Sequence, residues 1–184
     1  MGLITANTII TSVSLFHLTL AFFFLTNPKT VDDQALVFFL GESMGVPYAR
    51  GFDTPSAPLG LLSAVLALLG ISDLVSLSMP EEIGMIYYWG PQAPLRSLFS
   101  TALLLYTFLS GPSSSIFTPP STRHFSRDPT SMGGTGSGGA LRNRVFFTFM
   151  FFETISWFWV WVTLREERNA LIDKLKKTRQ AQRD

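Results

Sequence analysis

The sequence reads LITANTIITSVSLFHLTLAFFFLT from Leu3 to Thr26, 24 residues without an Asp, Glu, Lys or Arg. A helix of this length extends over about 36 Å, more than the roughly 30 Å hydrocarbon core of a bilayer. A cleaved signal peptide has a basic start and a shorter apolar core, and a mitochondrial transit peptide is rich in Arg. Neither pattern is present. We therefore predict that residues 3–26 form a membrane-spanning helix that the protein keeps.

Three further stretches are also long and apolar enough to form membrane-spanning helices. They are residues 59–79 (LGLLSAVLALLGISDLVSLSM), 93–110, and 145–164 (VFFTFMFFETISWFWVWVTL). Small residues in a span let helix backbones approach closely in lipid. The second stretch has such residues at Gly60, Ser63, Ala64, Ala67 and Gly70. The pattern predicts an all-α, polytopic membrane protein with a four-helix transmembrane bundle.

The segments between the spans differ in character. Residues 31–46 (VDDQALVFFLGESMGV) are too short to cross, so we predict an interfacial helix, with a re-entrant segment as the alternative. Tyr and Trp side chains within residues 83–91 favour the headgroup level. Residues 111–140 are rich in Ser, Gly, Pro and Thr and predict a flexible loop. Residues 165–184 predict a charged helical tail.

The composition argues against most enzyme and nucleic-acid functions. Charged residues are 15% of the chain, against about 25% in soluble domains, and Phe occurs 17 times. There is no Cys, no HExxH and no GxSxG motif, so we expect no catalytic residues, metal site or cofactor. The net charge is +1, and the basic tail also carries acids and no stacking aromatics, so nucleic acid is not an expected partner.

The distribution of basic residues bears on the orientation. Four spans place both termini on one side of the membrane. That side would hold eight of the 14 basic residues and the other side six, which favours cytosolic termini by the positive-inside rule. Arg142 and Arg144, next to the fourth span, argue the other way.

Four ionisable residues fall within the predicted spans: His17, Asp73, Arg96 and Glu153. Such groups are unfavourable in a bilayer unless they have partners or face a wet cavity. Measured from the side that holds the tail, Asp73 and Arg96 lie about 9 Å and 5 Å deep. A short loop joins their two spans, which should make these antiparallel neighbours and allow an ion pair.

His17 and Glu153 lie deeper, at about 21 Å and 17 Å, which motivates the hypothesis that they contact each other. Two interpretations of the four residues stay open. They are polar groups that hold helices together, or they line a path for ions or protons.

Several short motifs resemble the fungal family named for increased loss of mitochondrial DNA. They are GISDL at 70–74, PLR at 94–96, a Glu153…WFW pattern in the last span, and LREERN at 164–169. The likeness covers residues 3–110 and 141–175, whereas the insert at 111–140 departs from the shorter loop expected. The resemblance implies a small multi-pass protein of the endoplasmic reticulum, linked indirectly to upkeep of the mitochondrial genome and without enzyme activity.

Together the residues and the resemblance lead to one main expectation. The protein should act in the endoplasmic reticulum membrane as a structural or interaction subunit, with the lipid bilayer and another membrane protein as its partners. The alternative is an ion channel or transporter-like protein that uses the intramembrane polar residues.

Overall fold

The computed structural model describes residues 4–80, 83–109 and 141–181, and within them all regular secondary structure is helical. The α-helices are α1 (Ala6–Thr26), α2 (Lys29–Asp32), α3 (Ala35–Ser43), α4 (Ala57–Ser76), α5 (Gly90–Leu109) and α6 (Arg144–Ala181). A 3₁₀ turn covers Arg50–Phe52, and a π-helix, Gly84–Trp89, runs directly into α5. The predicted all-α class is confirmed. The predicted loop at 111–140 lies outside the described residues.

Among the described residues, three helices are long and apolar enough to cross a membrane: α1, α4 and residues 144–170 of α6. They lie at three of the four positions at which the sequence predicts spans. α5 has 20 residues but is not among the three, because Gln92 and Arg96 lower its apolarity near its start. That α5 crosses the membrane stays a prediction. The predicted interfacial segment forms α2 and the nine-residue α3, which is about 14 Å long.

Large apolar side chains cover the outside of the long helices. Leu61, Leu68 and Val75 on α4 are spaced by seven residues and are each more than 60% exposed. Phe22 and Leu25 on α1 are equally exposed. Such surfaces are rare on soluble proteins, where large apolar patches are usually covered. The exposed apolar surface is compatible with a membrane protein.

Close packing divides the long helices into two pairs, α1 with α4 and α5 with α6. The second and third spans, here α4 and α5, which the sequence predicts as neighbours, are not close-packed. α1 and α4 approach each other so closely at Gly70 that a Cβ on this residue would lie 2.8 Å from the Ser14 carbonyl oxygen. Ser63 Oγ donates to the Ala21 carbonyl at 2.5 Å across the same contact. Small residues thus decide which helix α4 packs against.

The π-helix positions Trp89, which the sequence analysis predicts at the headgroup level of the membrane. Pro91 and Pro94 follow it and have no N–H to donate, so regular α-helical hydrogen bonding is interrupted here. The wider turn ends at Trp89, which is 2% exposed and packs in a core cluster with Ala93 and Trp157. Tyr87, by contrast, is 77% exposed.

Candidate functional site

The four ionisable residues predicted within the spans lie on four different long helices. His17 is on α1, Asp73 on α4, Arg96 on α5 and Glu153 on α6. His17 is 2% exposed and Asp73 is 0% exposed. Because ionisable groups buried to this extent need partners, each contact they make is informative.

The structure brings His17 and Glu153 together. His17 Nε2 lies 2.7 Å from Glu153 Oε1, and the other carboxylate oxygen accepts a hydrogen bond from Trp157 Nε1 at 2.7 Å. Glu153 and Trp157 are four residues apart and therefore lie on the same face of α6. Both oxygens of the carboxylate are thus hydrogen-bonded to neighbouring side chains.

Asp73 and Arg96 form a bidentate ion pair. The two terminal guanidinium nitrogens of Arg96 donate to the two Asp73 oxygens at 2.7 and 2.9 Å. Arg96 Nε donates to Gln92 Oε1 at 3.2 Å, one turn back on α5. The long Arg side chain closes this pair although α4 and α5 are not close-packed. Bidentate pairs of this kind fix orientation as well as charge.

Trp157 connects the two pairs. Its side chain is fully buried, and the Arg96 Cζ atom lies 4.5 Å from its ring centroid, a cation–π distance. Trp89 stacks on the same indole, with centroids 6.0 Å apart and planes at 19°. Trp157 therefore donates to Glu153 through its N–H and faces Arg96 with its ring.

The candidate residues predicted from the sequence do not include Trp157. Its neighbours Trp159 and Trp161 are exposed, at 55% and 39%, while Trp157 is buried. The sequence contained one indication that Trp157 belongs to the site. It is four residues after Glu153, a spacing that puts the indole N–H beside the carboxylate on the same helix face.

Both polar pairs cross the seam between the two close-packed helix pairs. His17–Glu153 joins α1 to α6, and Asp73–Arg96 joins α4 to α5. We refer to the five side chains His17, Asp73, Arg96, Glu153 and Trp157 as the seam network. Their polar atoms are directed mainly at one another. The chemistry that this arrangement supports is the joining of helices in a medium that gives little hydrophobic driving force.

Further polar contacts tie the chain outside the spans. At the start of α6, Arg144 donates to Glu42 Oε2 at 2.9 Å and to the Val46 carbonyl at 3.1 Å. Near the far end of the α1–α6 contact, the Ala6 N–H donates to Glu167 Oε1 at 3.1 Å. A carboxylate at this position also interacts favourably with the positive end of the α1 dipole.

Two titratable groups in the connection between α1 and α4 have altered affinities for protons. Burial raises the pKa of Asp32, and the neighbouring Asp33 carboxylate adds to the effect. Tyr48 donates a hydrogen bond to Asp53, which raises the pKa of Tyr48 to about 12. These groups lie away from the seam network, and among the described residues no cluster of three or more His, Asp or Glu could hold a metal ion.

Comparisons with known proteins give one positive finding. No curated protein and no solved structure is similar enough to the chain to give a match. The family model described as increased loss of mitochondrial DNA protein 1 matches residues 4–174. That range includes all five residues of the seam network and confirms the resemblance carried by the short motifs. The chain therefore belongs to the increased loss of mitochondrial DNA protein 1 family.

Proposed function

We propose that this protein is a non-enzymatic, multi-pass protein of the endoplasmic reticulum membrane with a structural or interaction role. Maintenance of the mitochondrial genome would depend on it indirectly, through a membrane partner. One observation carries the proposal: the buried ionisable side chains join the two halves of the helix bundle. Side chains used in this way organise a membrane scaffold.

The geometry of the seam network supports this role over catalysis. A catalytic acid, base or nucleophile must reach a substrate within hydrogen-bond distance. Glu153 has a side-chain partner on each oxygen, and so does Asp73. Trp157 and Trp89 cover Arg96 with aromatic rings. The two carboxylates and the guanidinium therefore have little capacity left for a reacting molecule, and His17 Nδ1, which has no partner among the described residues, is buried.

The same arrangement makes the channel alternative the less favoured one. A conducting path needs polar groups that face water or pass an ion between sites. Here Asp73 and Arg96 form a bidentate ion pair, and His17 is hydrogen-bonded to Glu153. The exposed apolar surface of the helices, such as Phe22 and Leu25 on α1, is instead suited to contact another membrane protein.

The proposed location in the endoplasmic reticulum membrane is the one that the family resemblance implies. Both termini are proposed to lie in the cytosol, on the basis of the basic tail. A tag at either end should then be accessible to protease in sealed microsomes.

The decisive experiment places wild type and a seam variant in cells that lack the native copy. Glu153→Leu removes the acceptor shared by His17 and Trp157, while Leu68→Ala is a matched control on the lipid-facing surface. We expect wild type and Leu68→Ala to co-fractionate with endoplasmic reticulum markers, to retain mitochondrial DNA and to co-purify with one membrane partner. Glu153→Leu should lose the partner and the DNA.

Two results would contradict the proposal. One is a mitochondrial location of the wild-type protein. The other is an ion flux through proteoliposomes that contain the wild-type protein, if Glu153→Gln abolishes this flux. The channel alternative predicts the flux and its loss in the variant.

A further inference from the structure

A second polar cluster lies in the connection between α1 and α4. Asp32, at the end of α2, is only 8% exposed although its side chain is a carboxyl group. Tyr48 donates a hydrogen bond to Asp53, five residues later, and so closes residues 48–53 into a loop. The Tyr48 hydroxyl also interacts with the Asp32 carboxyl group. One hydroxyl therefore lies between two carboxyl groups from separate parts of the chain.

The number of available protons limits the hydrogen bonding of this cluster. A tyrosine hydroxyl has one proton to donate, and its oxygen can accept a hydrogen bond. If both carboxyl groups are ionised, Tyr48 donates to Asp53, and Asp32 stays buried beside a like charge. One added proton completes the chain, since Asp32 then donates to Tyr48 Oη while Tyr48 donates to the Asp53 carboxylate. The cluster is fully hydrogen-bonded only with that proton.

The charged groups around Asp32 favour its protonated form. Burial raises the pKa of Asp32 above its ordinary value of 3.8, and the Asp33 and Asp53 carboxylates raise it further. The hydrogen bond with Tyr48 and the charge of Arg144, at the start of α6, act in the opposite direction and are smaller influences. Arg144 also forms an ion pair with the exposed end of α3, so its charge is shared.

The 48–53 loop has both a polar and an apolar contact with the rest of the bundle. The polar contact runs from Tyr48 to Asp32 and depends on the proton. In the apolar contact, the Phe52 ring packs against Phe24 of α1, with centroids 5.8 Å apart, and no proton is involved. Phe24 is 4% exposed, so movement of the loop away from α1 would expose part of its ring.

We propose that proton uptake by Asp32 docks the 48–53 loop onto α2 and that proton loss releases it, so that the loop responds to the pH on its side of the membrane. The proton comes from solvent and binds to one carboxyl oxygen of Asp32. Release leaves the Tyr48–Asp53 hydrogen bond intact, because that bond lies within the loop. The response is separate from the seam network and goes beyond the proposed scaffold role.

The direction of the response follows from the raised pKa of Asp32. A group that binds its proton more tightly in the docked state stabilises that state at low pH. This contribution is fully present below the ordinary Asp pKa of 3.8 and is lost as the pH rises through the raised pKa of Asp32. The loop should therefore be docked in acid and released at higher pH.

The test follows the mobility of a spin label in the 48–53 loop. The sequence has no Cys, so one engineered Cys carries the label at a single position. Gly51→Cys lies within the loop and Gly60→Cys on α4, and at both positions a side chain meets open space. The full-length chain in lipid nanodiscs is titrated from about pH 3 to about pH 8 and examined by electron paramagnetic resonance. We expect the label at residue 51 to become more mobile as the pH rises, with a midpoint above 3.8, and the label at residue 60 to stay unchanged.

Substitutions in the labelled chain identify the group that titrates. Asp32→Asn keeps a neutral side chain that can donate to Tyr48 Oη, so its loop should stay docked at every pH. Tyr48→Phe removes the bridging hydroxyl and should leave the label as mobile in acid as it is in wild type at high pH. Asp33→Asn is the matched control at an exposed neighbour, and it should keep the transition with the midpoint moved to lower pH. One hydrogen bond corresponds to a change of about two- to tenfold in the ratio of docked to released loop.

Any of four results would overturn the proposal. The mobility at residue 51 in wild type is independent of pH, or Asp32→Asn or Tyr48→Phe keeps the wild-type transition. In the third, Asp33→Asn leaves the midpoint unchanged, a result that decides the matter even where the other variants do not fold. In the fourth, circular dichroism shows that helix is lost in step with the mobility change, which would attribute that change to unfolding.

Discussion

The Asp73–Arg96 pair gives the sharpest quantitative test of the seam network. Removing one partner of a buried ion pair costs about 3–5 kcal/mol. Arg96→Ala leaves a fully buried carboxylate without its two donors, so the upper value of about 5 kcal/mol applies. Asp73→Ala leaves a guanidinium that keeps Gln92 and the Trp157 ring, so about 3 kcal/mol is expected.

The double variant separates a coupled pair from two independent groups. Independent effects would destabilise by about 8 kcal/mol, more than many proteins possess. Removing both charges together leaves neither unpaired, so we expect about 5 kcal/mol and a coupling energy of about 3 kcal/mol, the upper end for contacting residues.

The assay is equilibrium unfolding in mixed micelles with increasing fractions of SDS, followed by tryptophan fluorescence. Trp157 and Trp89 lie against Arg96 and report on this region directly. Ser72→Ala, at an exposed neighbour of Asp73, is the control and should change stability by less than about 0.5 kcal/mol. Additive single effects, within about 0.5 kcal/mol, would refute the reasoning.

Two further predictions concern other contacts. Gly60→Ala, where a Cβ meets open space, should stabilise α4 by up to about 1 kcal/mol, whereas Gly70→Ala should destabilise by about 1–3 kcal/mol because its Cβ meets the α1 backbone; equal changes in the unfolding assay would contradict this. The raised pKa of Tyr48 means that its hydrogen bond to Asp53 stabilises the fold fully below pH 10 and is lost as the pH rises to about 12. A Tyr48→Phe difference titration of phenolate absorbance should give that value, and a midpoint near 10 would contradict it.

The long helices and the polar contacts were largely predictable from sequence. Long stretches with few charged residues, together with flanking Pro residues, predicted the positions of α1, α4 and the start of α6 to within a few residues. Helix rise alone placed His17 near the depth of Glu153, and these two are in contact. Depth works as a guide because a membrane helix fixes the height of each residue.

The order of helix packing was not predictable in the same way. Depth gives no information on the direction in which a residue points around its helix axis. Gly70 decides that α4 packs on α1, and the π-helix before α5 turns Trp89 toward Trp157. Both depend on close contacts between distant segments, whereas loop length is a local property. The short connection between α4 and α5 does not reveal that these helices meet at Asp73 and Arg96 without close packing.

In lipid, we expect apolar contacts and polar contacts to stabilise different parts of the helix bundle. In the α1–α4 pair, small residues provide close van der Waals packing, which lipid chains cannot match. Between the pairs, that packing is sparser, and apolar surfaces there would be equally stable against lipid. The paired ionisable groups change this balance because separating the halves would leave each of them unpaired in hydrocarbon. The seam network thus helps to specify how the halves fit together, since this alignment closes both His17–Glu153 and Asp73–Arg96 around Trp157.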